Sequence, residues 1–275
     1  MNPTTQEHEY VLGTNDAELT RLGFQHRLWS GYALAMWERA GFAPRRRILD
    51  VGCGPGFASI DMAYLIAPSG TVIGVDESAR FLDHARALAA ARGVQNLEFR
   101  HGDVQKLDLP ATEFHGAYAR WVLCFVPDPE AVVAGVAKSL KPGGTFAVQD
   151  YVNYRAVMVA PTHPVMGRVA EAVDASVRQR GGDLDVGARL PGIMERYGLR
   201  VREVRPLVRI GGPESALWQW PTTFFSNYLP VLVEHGLLTR DDREMFERMW
   251  TERTADPLAF FMSPPMVEVI GEKRG

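Results

Sequence analysis

Three glycines at alternate positions, directly after an acidic residue, form the stretch with the clearest chemistry. The glycines are Gly52, Gly54 and Gly56, and the acid is Asp50. Apolar residues over 47–51 predict a short buried strand, and residues 58–67 predict a helix. Glycine lets a backbone turn tightly and approach a ligand closely. A strand, a glycine loop and a helix in this order form half of a unit that binds nucleotide-like ligands.

The spacing of these glycines separates two classes of ligand. A dinucleotide-binding loop follows G-x-G-x-x-G, and its third glycine packs the helix against the strand. Counted from Gly52, that position is Phe57, which argues against a nicotinamide-dependent oxidoreductase. The pattern from Asp50 to Gly56 instead resembles the first motif of class I S-adenosylmethionine (SAM)-dependent methyltransferases, D/E-x-G-x-G-x-G.

Two further acids are predicted at the carboxyl ends of neighbouring strands. Asp76 ends a predicted strand over 71–75, and Asp103 follows one over 97–101. Ligands of parallel sheets bind beyond these ends, so we expect Asp76 to accept hydrogen bonds from a ribose and Asp103 from an adenine amino group. The expected cofactor-binding residues are Asp50, Gly52, Cys53, Gly54, Gly56, Asp76, Glu77, Gly102, Asp103, Val104 and Arg120.

Four segments stand in the order of class I methyltransferase motifs, namely 48–56, 72–76, 101–110 and 140–144. Together they resemble the branch related to ubiquinone/menaquinone C-methyltransferases, which includes many bacterial natural-product methyltransferases. Weaker similarity extends to 10–13, 21–25 and 181–191. The resemblance implies SAM as cofactor and S-adenosylhomocysteine (SAH) as product. It also implies that Gln25 and Trp29 contact the cofactor from an N-terminal cap, with core packing as the alternative.

Alternating strand and helix patterns predict a Rossmann-like, doubly wound α/β fold with a mostly parallel, seven-stranded sheet. We expect a helical cap over 1–42 and a class I methyltransferase domain over 43–275. The cap is predicted as two short helices, 16–29 and 30–41, the first capped by Asn15.

The last two strands of the sheet are predicted over 199–210 and 260–271. Helical insertions after strands five and six, at about 152–198 and 212–256, are expected to roof the substrate site.

The acceptor is expected at the opposite rim of the sheet from the cofactor. Relatives often carry a histidine after the fourth strand, and this chain has Phe125 at that position. The candidate catalytic residues are therefore His163 as a base, Tyr151 and Arg120. An aromatic segment over 217–228 favours an apolar acceptor pocket, with core packing as the alternative. The candidate substrate-binding residues are Trp121, Tyr154, Trp218, Trp220, Phe224 and Tyr228.

Composition narrows the possible partners. The net charge of −3 with mixed signs argues against a nucleic-acid surface. The two cysteines, Cys53 and Cys124, are too few for a disulfide scaffold or a four-cysteine zinc site, and we expect no metal. The sequence shows no signal segment and no membrane-spanning run, so a cytoplasmic monomer or homodimer is expected.

These observations together predict a SAM-dependent methyltransferase for a small, apolar or aromatic metabolite, acting in secondary metabolism. Oxygen is favoured as the methylated atom over carbon, and carbon over nitrogen. The alternative is a SAM-binding cyclase or lyase on the same scaffold that transfers no methyl group.

Overall fold

A computed structural model describes residues 16–275, and both the predicted cap Asn15 and segment 10–13 lie outside that range. The first helix is α1, Asp16–Arg39, which is continuous where the sequence predicted two helices. A glycine costs only about 1 kcal/mol relative to alanine inside a helix. The absence of a side chain at Gly23 allows close packing of α1, because a Cβ there would lie 3.2 Å from the ring of Phe57. Gly23 and Gly31, which suggested two helices, are therefore both accommodated within one, and Gly23 also packs against Phe57.

The alternating part of the chain follows the predicted order. Its elements are β1 Arg47–Val51, α2 Phe57–Leu65, β2 Thr71–Asp76, α3 Ala79–Ala91, β3 Leu97–His101, β4 Phe114–Arg120, α4 Pro129–Ser139 and β5 Leu140–Tyr151. Local chemistry sets the helix starts. The Ser78 hydroxyl accepts from the Phe81 amide ahead of α3, and Asp128 accepts from the Ala131 amide ahead of α4.

The second half of the chain completes the sheet and adds helices above it. Its elements are β6 Met158–Ala160, α5 Pro164–Gln179, α6 Leu190–Arg196, β7 Leu199–Leu207, β8 Ile210–Gly211, α7 Ala216–Glu234, α8 Arg240–Ala255, β9 Phe260–Met262 and β10 Met266–Lys273. The two predicted last strands are therefore each divided. Pro264 and Pro265 separate β9 from β10, because proline has no amide hydrogen to continue a ladder.

The main sheet has seven strands in the order β3-β2-β1-β4-β5-β10-β7. The first five strands are parallel, and β10 runs antiparallel to both β5 and β7. This confirms the predicted doubly wound α/β fold. A second sheet, β6-β9-β8, was not predicted, since its strands have only two or three residues each. The strand order reverses between β1 and β4, which is where ligands of such sheets bind.

The motif segment 140–144, whose Lys-Pro-Gly-Gly sequence predicts a turn, lies within β5 as a bulge. The pairing of β4 with β5 shifts from Phe114 opposite Leu140 to Gly116 opposite Thr145. Gly143 has a positive φ of 74°, so the chain does turn there before the regular strand resumes.

A chain of polar contacts ties the end of α1 to the sheet. Arg39 donates from Nε to Glu203 at 2.7 Å and from Nη2 to Glu268. Glu268 also accepts from the side-chain amide of Gln149, whose oxygen accepts from the hydroxyl of Tyr118, each at 2.7 Å. The buried polar groups are thus paired, as the apolar surroundings require.

The two cysteines are free and buried, as expected. None of the described helices has the length and apolarity needed to cross a bilayer. The division into an N-terminal cap and a methyltransferase domain stays a prediction.

Candidate active site

The loop after β1 combines two kinds of glycine. Gly54 has a φ of +51°, and a Cβ built on it would meet no protein atom within 4 Å, so its open side faces ligand space. A Cβ on Gly56 would instead lie 2.7 Å from Ala85 and 2.8 Å from Phe99. Gly54 thus allows close ligand approach, whereas Gly56 allows α3 and β3 to pack against the loop.

Asp76, at the end of β2, holds this loop in shape. Its carboxylate accepts from the amide of Gly54 at 2.8 Å and from the amide of Ser78 at 2.9 Å. Burial raises the pKa of Asp76, and these two hydrogen bonds oppose that effect. Asp76, the predicted ribose acceptor, therefore also stabilises the conformation of the loop.

A cleft of about 890 Å³ opens over the carboxyl ends of the strands. It brings together most of the predicted cofactor-binding residues, which are Gln25, Asp50, Gly52, Cys53, Gly54, Asp76, Glu77, Asp103, Val104 and Arg120. Three predicted members do not line it. Gly56 packs as described above, and Gly102 donates its amide to the Asp76 carbonyl at 3.0 Å in the turn after β3. Trp29 lies in the core against Trp121 and Trp220, with ring centroids 5.6 and 5.3 Å away.

Asp50 forms the floor of the cleft. It is only 2% exposed and accepts from the hydroxyl of Ser59 at 2.5 Å. Burial raises the pKa of Asp50 to about 7, although the positive charge of Arg120 and the Ser59 hydrogen bond lower it. The carboxyl can therefore gain or lose a proton near neutral pH.

His26 lines the cleft although the sequence did not single it out. Its Nε2 lies 2.8 Å from Asp61, and its Nδ1 lies 3.1 Å from Nη2 of Arg120. Burial lowers the pKa of His26, so the neutral ring accepts from Arg120 and donates to Asp61. In the sequence, only the helical spacing of His26, which places it on the buried face of α1, could have indicated a role in the site. That position fits core packing equally well.

Arg120 carries an unused donor at the edge of this cleft. Its Nη1 atom is buried and has no hydrogen-bond partner among the described residues. The guanidinium lies over the ring of Trp121, 5.2 Å from the centroid. A buried donor on a cation favours an anionic ligand group, such as a carboxylate. The cleft therefore fits SAM, whose amino-acid part offers a carboxylate to Arg120 and an ammonium group to Asp50.

Trp121 stands where the cleft meets a second, apolar pocket. Its φ is +53°, a left-handed conformation that costs a residue with a large side chain about 1–3 kcal/mol. Its indole N–H is buried without a partner in the described part of the chain. The ring stacks on Trp220, with centroids 6.0 Å apart.

The second pocket has a volume of about 70 Å³ and lies beneath α7. It includes the predicted residues Trp121, Tyr151, Tyr154, Trp220, Phe224 and Tyr228. Gln25, Trp121 and Phe125 line both this pocket and the cleft. Trp218 lies elsewhere, stacked on Trp250 at 4.7 Å and donating its N–H to Thr254. The aromatic segment thus contributes both a pocket wall and core.

His163 does not line either cavity. It is the N-cap of α5, and its Nδ1 accepts from the amide of Val165 at 3.2 Å. Asp150 is fully buried and accepts from the amides of Cys124 and Tyr151. Burial raises the pKa of Asp150 to about 6, but its carboxylate does not line the pocket.

The second pocket offers hydrogen-bond donors rather than bases. Among the described residues that line it there is no histidine, lysine or carboxylate. Burial raises the pKa of Tyr151, Tyr154 and Tyr228, so their hydroxyls stay protonated. Arg21 is the charged residue in this wall, and Glu18 pairs with it at 2.6 Å.

Comparison with known proteins agrees with this geometry. The sequence model of the family described as "Methyltransferase domain" matches residues 43–181, which is half of the chain. The chain belongs to this methyltransferase family. The predicted class I SAM-dependent methyltransferase is thereby confirmed, with SAM as its cofactor.

Relatives and solved structures extend the likeness. The chain is 27% identical over 163 residues to the ubiquinone/menaquinone biosynthesis C-methyltransferase UbiE of Pseudomonas putida, covering 59% of this chain and 60% of that protein. It is 35% identical over 129 residues to the 2-phytyl-1,4-naphtoquinone methyltransferase of Synechococcus elongatus, covering 46% and 53%. The matched part is thus less than two thirds of either relative.

A solved structure of a putative methyltransferase from Bacillus halodurans superposes with a TM-score of 0.59 at 15% identity. It covers 88% of this chain and 98% of that one. At this identity the likeness concerns the fold alone.

Proposed function

We propose that this protein transfers the methyl group of SAM to a small, apolar or aromatic metabolite, in the cytoplasm and within secondary metabolism. The observation that carries the proposal is the wall shared by the two cavities, formed by Gln25, Trp121 and Phe125. A cofactor in the cleft and an acceptor in the aromatic pocket then meet at this wall.

When bound, SAM supplies an electrophilic methyl group on a positively charged sulfur. The chain's own residues hold the cofactor: Asp76 accepts from the ribose, Asp103 from the adenine amino group, and Arg120 donates to the carboxylate. The Trp121 and Trp220 rings orient the acceptor and keep water out of the junction. Alignment of two reactants in a dry site is the largest contribution such an enzyme can make.

The donor-rich pocket favours an acceptor atom that is already nucleophilic. An ionised phenol or enol brings such an atom, so the reaction does not depend on a base from the protein. Oxygen is the favoured target, ahead of carbon and then nitrogen. Carbon is the main alternative, because a ring carbon beside an ionised oxygen is also nucleophilic and the Pseudomonas putida relative is named as a C-methyltransferase.

The proposal is tested by SAH release from a panel of hydroxylated aromatic compounds, with the methylated atom located by NMR. Phe224→Asp places a charge in the pocket wall and should abolish acceptor-dependent SAH release while SAM still binds. Tyr32→Asp changes an aromatic residue that is 41% exposed on α1 and is the matched control. A Phe224→Asp variant with wild-type turnover would contradict the acceptor assignment.

A cyclase or lyase that uses bound SAM without transferring methyl is the second candidate. It is favoured by the absence of histidine, lysine and carboxylate side chains from the described pocket wall, where Phe125 stands in place of the relatives' histidine. Replacing SAM by SAH separates the two candidates. A cyclase keeps forming product with SAH, whereas a methyltransferase forms none.

A further inference from the structure

The side chain of Gln25 is fixed in one orientation at the junction of the two cavities. Its oxygen accepts from the indole N–H of Trp220 at 2.8 Å and from Nη1 of Arg21 at 2.9 Å. Both partners are donors only, so the atom that faces them must be the oxygen. The amide nitrogen therefore projects to the opposite side, where its two hydrogens have no partner in the described part of the chain.

Tyr151 offers a second donor in the same pocket wall. The residue is 8% exposed, and its hydroxyl has no hydrogen-bond partner among residues 16–275. The residue lines the pocket, and its hydroxyl is not among the buried side-chain atoms that lack a partner. The ring of Tyr151 lies 6.1 Å from that of Trp121, which in turn stacks on Trp220. Gln25 thus contacts one member of this stacked pair of indoles, Trp220, and Tyr151 lies beside the other, Trp121.

Charges of both signs act on this wall, because the carboxylate of Asp150 and the guanidinium of Arg21 oppose each other at the hydroxyl of Tyr151, so the preference for an anion comes from the donors. Arg21 donates to Gln25, and its positive charge also acts on the hydroxyl of Tyr151. Glu18 holds two other nitrogens of Arg21 at 2.6 and 2.7 Å, and Glu18 does not line the pocket. Both pocket groups donate hydrogen bonds to an anion, and such bonds are about twice as strong as those between neutral groups.

We propose that the side-chain amide of Gln25 and the hydroxyl of Tyr151 form a donor pair that binds the ionised oxygen of the acceptor. The pair selects an apolar or aromatic acceptor that carries an acidic hydroxyl, and it stabilises the anionic form that reacts. This inference rests on the proposed function where it concerns methyl transfer. The preference for an anion is a property of the pocket and can be measured without the reaction. Gln25 thereby determines specificity for the acceptor, in addition to lining the cofactor cleft.

The test uses 4-nitrophenol, whose anion absorbs visible light, with the full-length protein saturated with SAH. The ratio of anion to neutral phenol is followed by absorbance as the pH is varied. The wild-type protein should bind the anion more tightly than the neutral form, and so lower the pKa of bound 4-nitrophenol. Because no methyl group is transferred, a failed methylation assay and a failed pKa shift are separate results.

Two variants each remove one donor with minimal change of shape. Gln25→Glu keeps an oxygen for Trp220 and Arg21 but replaces the amide hydrogens by a second carboxylate oxygen. Tyr151→Phe removes the hydroxyl and keeps the ring. Each should weaken binding of the anion by about tenfold or more, with much less effect on the neutral form. Phe224→Leu, which alters an apolar part of the wall, should change both forms equally.

Circular dichroism and urea unfolding show that each variant is folded, and a titration with SAH sets the concentration that saturates it. The proposal is overturned if 4-nitrophenol binds with an unchanged or raised pKa, or if the wild-type complex binds neither form. It is also overturned if both Gln25→Glu and Tyr151→Phe retain the full wild-type shift.

Discussion

The amide of Gly54 donates a 2.8 Å hydrogen bond to the carboxylate of Asp76, which joins the loop after β1 to the end of β2. The other carboxylate oxygen accepts from the amide of Ser78. A carboxylate has about four acceptor positions, so both oxygens can still accept from a ligand hydroxyl. The same group that shapes the loop thus remains available to the cofactor.

Asp76→Asn should therefore weaken SAM binding by about 10- to 100-fold, because one acceptor oxygen becomes a donor amide. Calorimetric titration with SAM measures the effect. Asp83→Asn changes a carboxylate that is 78% exposed on α3 and serves as the control. Unchanged SAM affinity in Asp76→Asn would refute the ribose assignment.

Gly54→Ala and Gly56→Ala should separate ligand binding from packing. In Gly54→Ala the new methyl group enters open space in the cleft, so SAM affinity should be largely lost. The free energy of unfolding should fall by only about 1–2 kcal/mol, because alanine is strained in the left-handed conformation of this position. The Gly56→Ala side chain meets Ala85 and Phe99 and should lose more stability. Urea unfolding and SAM titration of both variants are the measurements. Equal losses of stability would argue against this division of roles.

The buried carboxyl of Asp50 should make stability depend on pH. Its pKa is about 7 in the folded protein and about 4 when unfolded. Between these values the folded state holds a proton that the unfolded state has lost. This contribution therefore falls by about 1.4 kcal/mol per pH unit as the pH rises towards 7, and is constant above it. Asp50→Asn should reduce the measured slope by this amount in urea unfolding at pH 5, 6 and 8, and the slope that remains belongs to other buried carboxyls such as Asp150. A variant with the wild-type slope would exclude Asp50 as its source.

The same titration should appear in cofactor binding. If ionised Asp50 pairs with the ammonium group of SAM, affinity should be about tenfold higher at pH 8 than at pH 6. In Asp50→Asn the affinity should be lower and should not change over this range. Calorimetry in two buffers of different ionisation enthalpy should show a proton released on binding near pH 6.5. Identical heats in both buffers would contradict the pairing.

His163→Ala tests the base that the sequence suggested first. As the N-cap of α5, His163 should contribute about 1 kcal/mol to stability, and its loss should leave turnover unchanged once the protein is folded. His163→Asn restores a capping acceptor without a base and should recover the stability. A loss of turnover in both variants across the pH range would return His163 to the catalytic site.

The fold was predictable because its signals are local. Apolar runs over 47–51 and 71–75 and the glycines that follow or interrupt them define each element where it stands in the chain. The continuous α1 and the small sheet β6-β9-β8 were not predicted. The first depends on Phe57 packing against Gly23, and the second on pairing between segments about 50 to 100 residues apart.

The cofactor side of the site was more predictable than the acceptor side. Parallel strands bring their carboxyl ends to one edge, so acids following three strands had to gather there. The acceptor pocket depends on side-chain packing between α1, α5 and α7, which chain order does not reveal. The sequence spacing of an aromatic residue such as Trp218 or Trp220 is the same whether its side chain faces the core or the pocket. His26 likewise depends on contacts with Asp61 and Arg120 from other elements.

The wall formed by Gln25, Trp121 and Phe125 has a thermodynamic consequence. A ligand on either side contacts the same three side chains, so occupancy of one cavity changes the free energy of filling the other. By linkage, any factor by which SAH changes the dissociation constant of an acceptor must equal the factor by which that acceptor changes the dissociation constant of SAH. The two substrates therefore report on each other's sites, and binding of an acceptor can be detected as a change in the dissociation constant of SAH.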